Sequence, residues 1–203
     1  MFKRKLFRVL AGNTLMGLGI SLVITAGIGV DPWTVLSLGV SNVLQISVGR
    51  AAQLQGLLFM SGVYLIYRRK PGLGTLINMM LVGLIIDFSQ GLVTTPQLFL
   101  GQLGVLALGL LILSFGVALY VAGNLGEGPI EQLMLALHFR HGWPIGRIRI
   151  VMDFVATSSG FLLGGSVGLG TLISVVVIGP TVAKFLQLIP DFAVTNSVEF
   201  KSS

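Results

Sequence analysis

The chain has no cysteine among its 203 residues, and only seven acids, two histidines and two tryptophans. Without cysteine there is no disulfide, no thiolate metal site and no cysteine nucleophile. No His-Glu-x-x-His, no Gly-x-Gly-Asp pair and no Gly-x-x-x-x-Gly-Lys-Ser/Thr loop occurs. Zinc-peptidase, intramembrane aspartyl-protease and ATP-hydrolysing readings lose their motifs with them. The two histidines, His138 and His141, flank Arg140 with no carboxylate pair beside them, a poor metal site. The expectation is therefore no enzyme, no metal and no cofactor.

Charge is scarce too. Only 10% of residues are charged against 54% hydrophobic, and the mean hydropathy is +0.93, which excludes a soluble domain of this length. Apolar stretches long enough to cross a hydrocarbon core of about 30 Å run over 9–30, 51–67, 73–93, 98–122, 148–165 and 169–189. Backbone groups cannot stay unpaired in lipid, so each reads as a helix. The basic start, Met1 to Lys5, resembles the first part of a signal peptide, but the apolar run after it is too long. It reads as a retained first span.

What is present in excess is self-similarity. Gly19, Leu22, Gly29, Pro32, Leu36, Gly49 and Arg50 recur 97 positions later as Gly116, Leu119, Gly126, Pro129, Leu133, Gly146 and Arg147. The run from Gly72 to Ile77 recurs 96 positions later as Gly168 to Ile173, and Gly83 recurs as Gly179. Residues 6–91 and 99–189 thus read as duplicated halves, dividing the chain into 1–98 and 99–203, with a polar cytoplasmic tail over 190–203.

Orientation follows from the basic residues. With a cytoplasmic start and six spans, twelve of the thirteen lie on or near the inner side, from Lys3, Arg4, Lys5 and Arg8 through Arg69 to Lys184 and Lys201, and only Arg50 falls outside. Counting the Pro-led segments 32–47 and 129–144 as further spans weakens that split to ten against three. The basic excess is thereby explained by topology, and nucleic acid is not an expected partner. Three spans per half is an odd number, so the halves enter from opposite sides as inverted repeats. Each Pro-led segment has 16 residues, roughly 24 Å if helical, which suits a re-entrant or interfacial helix.

These segments and a few acids supply the candidate site. Asp31 is placed to cap a helix whose first residue is Pro32, and Thr34, Ser37, Ser41 and Gln45 then form a polar stripe. In the second copy Glu127 and Gly128 precede Pro129, and Glu131 falls where a carboxylate offsets unpaired amides. The acids are either plain helix caps or part of a polar site built by two helix N-termini between the repeats. Asp87, late in span three, and Asp153, early in span five, are intramembrane charges and so functional candidates. Ordinary ion pairs explain them equally well: Arg149 is four residues from Asp153, and Arg50 lies at the level of Asp87. Asn78, Thr75 and Thr171 add polar groups, Arg147 a further cation, and Trp33 and Trp143 read as interfacial anchors or packing residues. The Gly-Leu-Gly runs and Gly160-x-x-x-Gly164 read as close helix packing.

The stretch Gly27 to Trp33, the Gly-Arg after the short helix, the turn Pro71 to Thr75 and Asp87 at the end of span three together resemble the YczE and YitT group of bacterial membrane proteins. That group carries an acid after Pro-Trp where this chain has Thr34. The resemblance implies a multispan protein of the bacterial cytoplasmic membrane, with both termini cytoplasmic in the six-span reading. Three functions remain open. One is a small secondary transporter or exporter of a small solute. Another is a substrate-capture subunit, alike in size to those of energy-coupling-factor transporters, working with an ATPase module. The third is a non-transporting accessory protein. The lipid bilayer, an unidentified solute and a second copy of the chain are the expected partners.

Overall fold

A computed structural model describes residues 1–68 and 70–189; Arg69, Lys201 and the expected tail over 190–203 lie outside the described residues. Within them the chain forms eight helices and no strand: α1 (Phe2–Ala26), α2 (Pro32–Leu44), α3 (Val48–Tyr67), α4 (Leu73–Ser89), α5 (Phe99–Gly123), α6 (Pro129–His141), α7 (Ile145–Leu162) and α8 (Leu169–Leu188). By length and composition α1, α5 and α8 can each cross a membrane, and α2 with α3, bent by 109°, makes a fourth candidate. The other expected spans are less clear-cut for visible reasons. Helix α4 is apolar but has 17 residues, and α7 carries Arg147, Arg149 and Asp153. Apolar side chains nonetheless face outward all around, among them Leu58, Ile66, Phe88, Leu100, Phe154 and Val176, a surface that lipid satisfies and water does not.

Several boundaries move from their expected places. Helix α1 begins at Phe2, because nothing in the basic start breaks a helix, and the Arg8 guanidinium reaches the Ala122 carbonyl at 3.4 Å. The Pro-led helices stop at Leu44 and His141, where Gln45 and Gly142 adopt left-handed backbone and close the last turn. Helix α4 ends at Ser89, whose hydroxyl folds back onto the Ile85 carbonyl at 2.5 Å, rather than continuing to residue 93.

The centre of the molecule is the antiparallel pair α1 and α5. Its contact is made of glycine: a Cβ on Gly12 would lie 2.8 Å from the Gly116 carbonyl oxygen, and one on Gly19 2.8 Å from that of Gly109. Gly12 and Gly109, like Gly19 and Gly116, are 97 positions apart, so the first contact becomes the second when the halves are exchanged. Val23, Leu106 and Leu110 continue the buried seam.

The same exchange relates most other contacts. Helix α1 packs on α4 as α5 packs on α8, and α2 packs on α7 as α6 packs on α3. At the two ends of the α1–α5 pair the repeated sequences become clasps. The amide of Gly74 donates to the Leu125 carbonyl at 2.7 Å, and that of Gly170 to the Ile28 carbonyl at 2.8 Å. Gly29 and Gly126 form these turns at φ 106° and 130°, backbone that residues with a Cβ avoid. The Gly-Leu-Gly runs therefore do not pack two helices face to face. They let one half's helix start lie against the other half's Gly-x-x-Pro turn. Gly160 does pack closely, against Leu36 of α2, whereas Gly164 belongs to the turn after α7 and its carbonyl accepts from Asn42 at 2.7 Å.

Candidate functional site

Both Pro-led helices start at one cavity of about 170 Å³, below the roughly 300–1,000 Å³ of sites for drug-sized ligands. Asp31, Trp33, Thr34, Asn78, Glu131 and Arg149 all line it. Each half contributes: α1 to α4 supply most of the wall, and Leu113, Pro129, Arg149 and Ile178 come from α5, α6, α7 and α8.

Asp31 caps α2. Its Oδ1 accepts from the amides of Trp33 and Thr34, both at 3.2 Å, while its Oδ2 is buried with no hydrogen-bond partner. The corresponding position in the second half is Gly128, and Glu131 at the third helical position folds back over it, so that a Cβ on Gly128 would collide with Glu131 Oε2. A carboxylate thus stands at the start of each short helix, although the sequence puts one on the cap and the other three residues later. Backbone amides and helix dipoles explain why carboxylates are favoured there.

Across the cavity, Arg149 Nε donates to Asp153 Oδ2 at 3.0 Å, and one guanidinium nitrogen lies 3.9 Å from Glu131 Oε1. Asp153 Oδ1 accepts from the indole of Trp33 at 2.9 Å. Trp33 is therefore not an interfacial anchor: it is half-buried in the cavity wall, edge-on to Phe59 with ring centres 5.5 Å apart. Trp143 is exposed beside His141, and its carbonyl meets His138 Nδ1 at 2.7 Å.

Four expected site residues lie elsewhere. Asp87 does not pair with Arg50; its oxygens accept from the Ser47 hydroxyl at 2.6 Å and the Gly49 amide at 2.7 Å, so it fastens the end of α4 to the start of α3. Arg50 and Arg147 are exposed. The Glu127 side chain is exposed as well, and its carbonyl accepts from the Thr75 hydroxyl at 2.6 Å.

Residues in the wall and directly behind it carry weaker sequence signals. Gln55, buried on α3, accepts from the Ser37 hydroxyl at 2.8 Å, and Asn13, buried on α1, accepts from Asn78 at 2.5 Å. An amide inside an apolar span is the signal that finds both. Phe59, Met16 and Met79 look like ordinary span residues, and only the fold brings them to the cavity. Gly164, Ser166 and Gly168 have the Gly-x-Ser-x-Gly spacing of a hydrolase nucleophile elbow, but they join two helices rather than a strand and a helix. Gly168 is taken up by contact with Ile28.

The chain is 32% identical over 179 residues to an uncharacterized protein of Haemophilus influenzae, covering 87% of this chain and 80% of that one. It is 29% identical over 170 residues to the uncharacterized membrane protein YczE of Bacillus subtilis, covering 83% and 79%. It is 26% identical over 181 residues to YyaS of the same organism, covering 88% and 90%. No solved structure matches. A family model described as a family of unknown function, DUF6198, matches residues 3–187, and with the similarity to YczE and the apolar helices this makes the chain a membrane protein belonging to that family.

Proposed function

We propose that the protein is a small secondary transporter or exporter that moves a small solute across the bacterial cytoplasmic membrane by alternating access. In this reading α1, α3, α4, α5, α7 and α8 are six spans in two inverted halves, α2 and α6 are re-entrant, and both termini are cytoplasmic. The observation that carries it is the cavity bounded by the N-terminal ends of both Pro-led helices, one from each of two exchange-related halves. Helix starts converging on a site between inverted repeats are the usual design of such carriers.

The contact pattern also suggests which state this is. Among the described residues helices α3 and α4 pack together, whereas α7 and α8 barely touch. With the Asp87 end of α4 outside, the outer seam is shut and the inner seam open. Transport then requires α7 to close on α8 as α3 opens from α4.

Two measurements on the naturally cysteine-free chain test this. Single cysteines at Ser41 and His138 are labelled in intact and permeabilised cells with an impermeant maleimide. Labelling of Ser41 from outside and His138 only after permeabilisation supports inversion; labelling from one side removes it. A pair replacing Gly146 and Ala183, the counterparts of Gly49 and Asp87, should cross-link under oxidant as the inner seam closes. If it never does, the halves do not rock, and a capture subunit or accessory role takes the place of transport.

A further inference from the structure

The cavity has a chemical preference of its own. Asp31 is only 8% exposed and lines the cavity, and among the described residues its Oδ2 is a buried acceptor without a hydrogen-bond partner. Leaving such an atom unpaired is costly, so an occupant that donates to it gains what the empty site forgoes. Around the cavity stand three formal negative charges, Asp31, Glu131 and, behind Trp33, Asp153. Against them are Arg149 and two helix N-termini, each worth roughly half a positive charge. About one negative charge is left over. The wall also holds aromatic and thioether side chains: Trp33 and Phe59 in edge contact, Met16 beside Asn78, and Met79.

From this we propose that the site takes a small organic cation, a protonated primary or secondary amine with an apolar body. Its ammonium donates to Asp31 Oδ2, and its apolar part lies against Trp33 and Phe59, which favour a cation nearby. Arg149, held by Asp153 and close to Glu131, also lines the cavity and rejects a second positive charge. The inference rests on the cavity as a solute site, but not on any movement of the halves.

The test is binding to the purified full-length chain. Replacing Trp143 by Phe leaves Trp33 as the one indole, so its fluorescence reports on the cavity wall. The probes are butylammonium and 2-phenylethylammonium, each compared with its alcohol and its carboxylate of like shape. The ammonium compounds should give a saturable change and raise the melting temperature, with alcohols and carboxylates at least about tenfold weaker. Asp31→Asn should abolish that preference while the protein still folds, because asparagine caps a helix about as well as aspartate. Glu127→Gln, outside the cavity, should leave binding as it was. No preference for either ammonium over its alcohol, or undiminished preference in Asp31→Asn, overturns the proposal. Amine binding without seam closure keeps this inference and removes transport; seam closure without amine preference does the reverse.

Discussion

The α3–α4 seam and the α7–α8 seam carry the same pair of glycines 97 and 96 positions apart, yet among the described residues one is shut and the other open. In the first, Gly49 and Gly83 bring two helices into backbone contact, and the Asp87 carboxylate bonds the Gly49 amide and the Ser47 hydroxyl. In the second, the same two glycines are kept as Gly146 and Gly179, but among the described residues a Cβ on either would meet nothing within 4 Å. The fastening is what differs: Ala183 stands at the Asp87 position and Pro144 at the Ser47 position. Shape for closure is present in both halves, and a polar latch only in one. A seam with complementary glycines and no latch can open at little cost, while the latched seam must break charge-assisted hydrogen bonds first.

The largest effect should come from filling the shut seam. Gly83→Val forces a branched side chain against the Gly49 carbonyl and Gln53, at a cost of about 1–3 kcal/mol. Gly179→Val faces open space here and should change stability by less than about 0.5 kcal/mol. If closure of that seam is part of a cycle, Gly179→Val should still block cross-linking of the cysteine pair at Gly146 and Ala183. Melting temperature and cross-linking yield, measured on both variants, separate these outcomes; equal destabilisation would mean the seams are alike in the membrane.

Next in size is the latch. Asp87→Ala leaves the Gly49 amide without its acceptor, worth about 1–3 kcal/mol if the group stays buried. It should also make cysteines near the start of α3 more reactive. Ala183→Asp is the converse: a carboxylate placed to accept from the Gly146 amide should favour closure of the α7–α8 seam and raise cross-linking yield. Failure of both variants to shift the two seams in opposite directions would show that the latch does not set the balance.

How far the sequence discloses all this differs by feature. The Pro-led helices, the Asp31 cap and the Arg149–Asp153 pair rest on local spacing, and local spacing is what a linear reading measures. The role of the Gly-Leu-Gly runs is not local: Gly74 and Gly170 bond turns about fifty and 140 residues away, so their glycines look like any helix-packing motif. Asp87 misled for a related reason. A charge in an apolar span suggests an ionic partner, whereas a helix start on a neighbouring element supplied amide and hydroxyl donors. Spacing puts Glu131 in the first turn of α6, but that its carboxylate folds back over Gly128, the position matching Asp31, is seen only in space.

The smallest effect tests the two clasps against each other. Thr75 and Thr171 are repeat partners, both buried, and each hydroxyl accepts from its own helix-start glycine amide at 3.2 Å. Thr75 additionally donates to the Glu127 carbonyl at 2.6 Å; among the described residues the matching donation from Thr171 to Val30 is not formed. Valine at either site keeps the shape and removes the hydroxyl. Thr75→Val then orphans a carbonyl as well as an amide, and should cost on the order of 1 kcal/mol more than Thr171→Val, with serine restoring most of it. Because the Glu127 carbonyl lies two residues ahead of Pro129, loosening that clasp also frees the start of α6 and with it the Glu131 side of the cavity. Thermal melts of the two valine variants measure the difference. Equal losses would mean that the second clasp forms its missing bond in the membrane, and that the halves are more nearly symmetric than the closed and open seams imply.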